Sequence, residues 1–178
     1  MLSGEHVGLR AIEREDLPQL LAWRNEPTLR RFFRERRELS MEDHTAWFQR
    51  TVAGPGRADT RMFAIEERSG GELVGACGLC YIDWVDATAE LSLYIGRDSV
   101  YVDGLLAPDA ARVLMAHAFV DLDLRRLWVE VYAYDTLKAQ LLRALGFSLE
   151  GTLREHRFHA GARHDSLFFG LLRSGQGA

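Results

Sequence analysis

The sequence predicts one domain of the α/β (α+β) class: a central mixed sheet of seven strands flanked by three or four helices. Three observations carry this. Helical and strand patterns interleave along the chain, which places helices on the faces of a shared sheet. The 178 residues suit one sizeable core. No internal repeat, low-complexity tract or linker divides them, so residues 1–174 are assigned to the domain and 175–178 to a frayed tail.

His6–Ala11 alternates as the first strand. Glu15–Arg24 is a helix with Leu17, Leu20, Leu21 and Trp23 at its apolar positions. It stops at Glu26, because the residue before Pro27 avoids helical geometry. Thr28–Phe33 reads as a short helix. Ser40 and Asp43 have capping-box spacing and open a helix that runs to Thr51, followed by the loop Ala53-Gly54-Pro55-Gly56. Arg61–Glu67 and Glu72–Ile82 are strands joined through Ser69-Gly70-Gly71, a hairpin signal because glycine accepts positive φ. A turn at Asp83–Ala87 leads into the strand Ala89–Ile95. Ala110–Phe119 is an apolar-periodic helix, Leu127–Tyr132 a strand, and Asp135–Leu145 a helix stopped by Gly146. Leu149–Phe158 and His164–Leu172 close the sheet as a hairpin about Ala160-Gly161.

At 47% hydrophobic and 27% charged residues, the chain has ordinary globular composition. A net charge of −4 gives no general attraction to nucleic acid or an anionic membrane, so neither is an expected partner. No cationic leader precedes an apolar run, and no stretch approaches the ~20 apolar residues of a membrane span, so a cytoplasmic location is expected. Lys138 is the only lysine; the other cations are arginines, through forked anion recognition or through a base-composition bias. Cys77 and Cys80 have C-x-x-C spacing but fall on a strand, where positions three apart face opposite sides. They read as structural thiols, and no metal is expected.

The strand, helix, strand, helix order over Ala89–Phe147, with the segments AELSLYIG, AARVLMAHAF, RRLWVEV and LLRALGF, resembles the GNAT superfamily of N-acetyltransferases, which are acyl-CoA-dependent amine acylators. The resemblance implies that the two central strands splay, and that backbone groups at Leu93, Tyr94 and Ile95 hold the donor's pantetheine arm. It implies that Asp103, Gly104, Leu105, Leu106 and Ala107 surround the pyrophosphate, where free N–H groups at a helix start favour an anion. The chain departs from the pattern there. Val102 stands for a Gln or Arg and Leu105 for a glycine, Pro108 at the first helical position lacks an N–H, and Asp103 adds negative charge. The family's Asn at the start of the next helix and its Tyr seven residues later, which protonates the leaving thiolate, are Asp135 and Leu142 here. Tyr134 and Tyr101 are the nearby hydroxyls that could replace it.

Trp23-Arg24-Asn25 and Ser40…Asp43-His44…Trp47-Phe48 resemble the branch of ribosomal-protein alanine, polyamine and amino-sugar acetyltransferases. The resemblance implies acetyl transfer from acetyl-CoA to a primary amine of a small molecule, with an amino sugar as the acceptor class and a homodimer as the family's frequent assembly. Such a transfer needs the amine uncharged, and Glu90 or His44 could take its proton. Glu90 reads equally as a salt-bridged acid, and His44 as a packing histidine. Arg24, Asn25, Trp47 and Phe48 are the candidate acceptor-binding residues, with helix-end bonding and core packing as their alternatives. Arg30, Arg31, Arg34, Arg36 and Arg37 form a cationic patch that fits a phosphorylated ligand better than a polyamine, or pairs with Glu35 and Glu38. The departures leave open a fold relative that has exchanged catalysis for binding, or an enzyme using a different acyl donor.

Overall fold

All seven predicted strands are present in the computed structural model, which describes residues 1–54 and 59–173. The predicted tail therefore lies outside the described residues, as do Pro55 and Gly56. The strands are β2 (Val7–Arg10), β3 (Arg61–Glu67), β4 (Leu73–Asp83), β5 (Thr88–Ile95), β6 (Arg126–Tyr132), β7 (Ser148–His159) and β8 (Ala162–Leu172). An eighth, β1 (Leu2–Ser3), pairs antiparallel with β2 and is too short to show a period in sequence. The sheet order is β1-β2-β3-β4-β5-β6-β8-β7.

Every neighbouring pair is antiparallel except β5 with β6. Those two parallel strands share only the pairs Thr88↔Arg126, Ala89↔Leu127 and Glu90↔Trp128. Beyond Glu90 they separate, although β5 stays paired with β4 and β6 with β8. The backbone edge of a central strand is thus open in the middle of the sheet.

The helices are α1 (Leu17–Asn25), α2 (Pro27–Arg30), α3 (Met41–Trp47), α4 (Leu106–Ala116) and α5 (Thr136–Ala144). Three differ from expectation: the helix expected from Ser40 to Thr51 is α-helical only to Trp47 and continues as a wider π turn over Phe48–Ala53. The Thr28–Phe33 helix is one turn, α2, because the chain then bends to drive Phe33 between Tyr94 and Tyr101. Helix α4 starts at Leu106, so Pro108 lies inside its first turn rather than at its first position. Proline is tolerated there because first-turn N–H groups lack helical partners. Helix α3 carries the predicted box: Ser40 Oγ accepts the Asp43 N–H at 3.0 Å, and Asp43 accepts the Ser40 N–H at 3.0 Å. Gly146, at φ +91°, ends α5 with the Phe147 N–H donating to the Leu142 carbonyl at 3.0 Å.

Period-2 alternation on β5 divides the core between the two sheet faces. Leu91, Leu93 and Ile95 pack with Leu106, Ala110, Leu114 and Leu142 of α4 and α5. Tyr94 packs on the other face with Leu20, Trp23, Leu29 and Phe33. Cys77 is buried in the first cluster, and Cys80 is half-buried. Burial raises both thiol pKa values, Cys80 to about 12, so neither is a thiolate at neutral pH. Among the described residues no helix is long and apolar enough to cross a membrane.

Candidate active site

A cavity of about 620 Å³ lies on the α1–α3 face, at the opening between β5 and β6. Its walls include Arg24, Arg34, Arg37, His44, Trp47, Glu90, Leu93, Tyr94, Tyr101, Glu130 and Lys138. Six of the sequence-predicted residues meet there: Arg24, His44, Trp47, Glu90, Leu93 and Tyr94.

Glu90 is buried at the last β5–β6 pair, where the strands begin to part. Arg34 Nη1 and Nη2 donate to its two oxygens at 2.7 and 2.5 Å. The same guanidinium reaches Glu130 through Nε at 3.2 Å, and His156 Nδ1 lies 3.3 Å from the other Glu130 oxygen. Burial pulls the Arg34 pKa down, but Glu90 and Glu130 outweigh it and hold the guanidinium charged. The salt-bridge reading of Glu90 is therefore realised, and its carboxylate still faces the cavity.

His44 is buried and stacks on Trp47, with ring centroids 4.9 Å apart and planes 13° apart, as their i, i+3 spacing dictates. Its Nε2 has no hydrogen-bond partner among the described residues. Burial, and after it the charge of Arg24, lower its pKa to about 4. His44 is thus a neutral imidazole at neutral pH. Arg24 lies over the Phe33 ring at 4.0 Å, and no carboxylate is paired with it among the described residues.

Several expected residues are placed elsewhere. Phe48 is buried in the core under the Arg14 guanidinium, because adjacent helical positions point about 100° apart and Trp47 takes the cavity side. Asn25 is a tether: its Nδ2 donates to the Leu39 carbonyl and its Oδ1 accepts the Leu39 N–H, both at 2.8 Å. Tyr134 does not line the cavity, since its hydroxyl donates to the Arg31 carbonyl at 2.8 Å. Leu142 joins the core. The cationic patch is not one surface: Arg34 and Arg37 turn to cavity carboxylates, while Arg36 donates to the Phe158 carbonyl at 3.0 Å.

The groups expected to hold the donor are already engaged within the chain. The Leu93 carbonyl accepts Lys138 Nζ at 3.1 Å. The Ile95 N–H donates to the Tyr101 carbonyl at 3.0 Å. Asp103 Oδ1 accepts the Ala107 N–H at 2.7 Å, occupying a helix-start donor that a phosphate would use. Gly104 and Leu105 are exposed beside it, and Leu106 is buried. Asp135 caps α5 by accepting the Lys138 N–H at 3.1 Å; burial raises its pKa against the pull of the Lys138 charge. Buried backbone groups must be satisfied, so the opened strand edge recruits partners from its own loops.

Sequence reasoning missed one contributor to the site and one anchor outside it. Lys138 enters the cavity wall, and its uniqueness was the available signal. Asp109, in the first turn of α4, holds the amino-terminal segment. It accepts the N–H groups of Glu5, His6 and Val7 at 3.3, 2.8 and 3.0 Å.

A family model described as an acetyltransferase (GNAT) domain matches residues 6–148. An uncharacterized N-acetyltransferase p20 of Bacillus licheniformis is 26% identical over 169 residues, covering 95% of this chain and 94% of that protein. Spermidine N(1)-acetyltransferase of Escherichia coli (strain K12) is 28% identical over 167 residues, covering 94% and 86%. Spermidine N-acetyltransferase from Vibrio cholerae, solved in complex with CoA and spermine, superposes with a TM-score of 0.85 at 22% identity, covering 95% and 96%. A dodecameric structure of the Vibrio cholerae enzyme superposes at 0.79, with 21% identity and 95% of each chain covered.

Proposed function

Since the chain belongs to the GNAT acetyltransferase family, and so is an acetyl-CoA-dependent acyltransferase, we propose that its acceptor is the primary amine of a small molecule bearing hydroxyl or anionic groups, with an amino sugar as the class. The observation that carries this is the charge state of the cavity. Glu90 and Glu130 are bound by Arg34, and Glu35 and Asp43 by Arg37. Asp59 is the one lining carboxylate without an arginine among the described residues. A polyamine carries several ammonium groups and would need several free carboxylates. Among the described residues this cavity offers one, together with the Arg24 guanidinium, which lies over Phe33 with no carboxylate partner, and the Trp47 ring. A hydroxylated monoamine suits such a wall: its ring stacks on the indole and its polar groups meet the guanidinium.

The amine attacks the thioester carbonyl directly after losing its proton to Glu90 or water, while neutral His44 can accept a hydrogen bond at Nε2. A homo-oligomer accords with the dodecameric relative and is checked by sedimentation. The functional test follows thiol release from acetyl-CoA with glucosamine, glucosamine phosphate and spermidine as acceptors. Higher kcat/KM for the amino sugars supports the reading, and a preference for spermidine overturns the acceptor class. Calorimetric titration with CoA and acetyl-CoA tests the donor separately.

A further inference from the structure

Lys138 combines features that packing does not require. It is the only lysine in the chain, and it is buried. It sits in the first turn of α5, where the helix dipole disfavours a cation. No carboxylate lies within ion-pair distance of its ammonium among the described residues. Its two partners are neutral: the Leu93 carbonyl at 3.1 Å and the Tyr101 hydroxyl at 3.2 Å. An ammonium has three N–H groups, so one remains for the cavity that Lys138 lines. A methionine would fill the same space without desolvating a charge.

Its location is as informative as its cost. The Leu93 carbonyl belongs to the part of β5 that has left β6. Tyr101 fixes the ammonium from the loop side, stacked on Phe32 at 4.4 Å and edge-on to Phe33 at 5.7 Å. Leu142, the aligned position for a proton donor, is sealed in the core.

We propose that Lys138 is the catalytic cation that stabilises the leaving thiolate, and that Tyr101 is the residue that positions it. This rests on the acetyltransferase reading. The acceptor nitrogen, already deprotonated once, attacks the carbonyl carbon. The nitrogen–carbon bond forms, the carbon–sulfur bond breaks, and the electron pair goes to sulfur beside the Lys138 ammonium. The second nitrogen proton passes to solvent, and the thiolate takes a proton from solvent on release. Lysine stays charged throughout, so it acts by fixed electrostatics.

Two measurements test it with wild type, Lys138→Met and Tyr101→Phe. The first titrates the ultraviolet absorbance of the CoA thiolate in each complex, which needs no acceptor. Bound thiol in the wild type should have at least about tenfold lower proton affinity than in Lys138→Met. Equal titration overturns the proposal. The second compares acetyl-CoA with 4-nitrothiophenyl acetate, whose thiolate leaves without help. Lys138→Met should lose about 10²–10³-fold in kcat with acetyl-CoA but only a few-fold with the activated donor. A merely structural role would depress both equally and would overturn the proposal. Tyr101→Phe, which removes the 3.2 Å contact to the ammonium, should shrink the thiolate shift and lose less than tenfold in kcat with acetyl-CoA; an unaltered shift overturns the positioning role. Wild-type turnover unaltered in Lys138→Met sinks the lysine role alone. Wild type that binds donor but acylates no amine sinks the acetyltransferase reading and the lysine role with it.

Discussion

Arg34 and Glu90 stand 56 positions apart, yet both guanidinium Nη atoms close on the two carboxylate oxygens at the point where the central strands part. The pair ties the segment after α2 to the sheet and sets the charge of the cavity floor. Arg34→Ala strands a buried carboxylate and should destabilise the fold by about 1–3 kcal/mol in denaturant titrations. The cost stays below that of a fully buried pair, because the Arg34 side chain is 42% exposed and its bridge is partly screened. Glu90→Gln should keep the cavity shape and lower kcat by about 10²-fold or more if this carboxylate receives the amine proton.

His44 makes stability depend on pH. Its folded pKa is about 4 against 6.5 for the free side chain, so between these values the unfolded chain binds more protons. Stability is therefore fully present above 6.5 and falls as pH drops toward 4. His44→Phe, which can still stack on Trp47, should flatten the melting temperature over this window, by on the order of 1–3 kcal/mol at the acid end. An unchanged slope in that variant would refute the buried neutral imidazole.

Asp109 ties the turn between β1 and β2 to α4. Burial raises its pKa, but the His6, Val7 and Glu5 N–H groups outweigh this and leave it below the ordinary aspartate value. Its contribution is present above the unfolded carboxylate pKa and lost as pH falls through the folded one. Asp109→Ala should cost about 2–3 kcal/mol and speed hydrogen exchange at Val7.

Asp103 holds the Ala107 N–H at the start of α4, where the family resemblance would place the donor's pyrophosphate. Asp103→Asn removes a negative charge while keeping a side-chain acceptor for the Ala107 N–H. It should tighten CoA binding about three- to tenfold in calorimetry, the scale of one charge near a helix start. Weaker binding would show that the carboxylate organises the loop for the donor rather than against it.

Leu142 is 1% exposed. Leu142→Tyr, which restores the family's hydroxyl, should overpack the core by about 1–3 kcal/mol and bring no gain in kcat. A gain would place this side chain at the reacting sulfur.

The sequence displays the sheet well because its strands alternate and its turns are punctuated by Gly71, Gly146 and Gly161, all at positive φ. The capping box at Ser40 and the Lys138-to-Asp135 cap are equally legible, being local. The site was half legible. Glu90, His44, Trp47 and Arg24 line the cavity. Phe48, Asn25 and Tyr134 do not, because each depends on which way a side chain turns once distant segments pack. The Arg34–Glu90 bridge and the Tyr101–Lys138 contact join residues 56 and 37 positions apart, and no local period reports such distances.

An amine acylator that bears amines on its own surface invites its donor to react with itself. Here the single side-chain amine is walled in by Leu93 and Tyr101, and the remaining side-chain cations are guanidiniums, which stay protonated and do not attack thioesters. The surface side chains thus offer no competing amine to the reagent that the enzyme consumes. Lysine-directed reagents would likewise find one shielded side-chain target, making Lys138 a built-in reporter of whether the groove between β5 and β6 is open or filled.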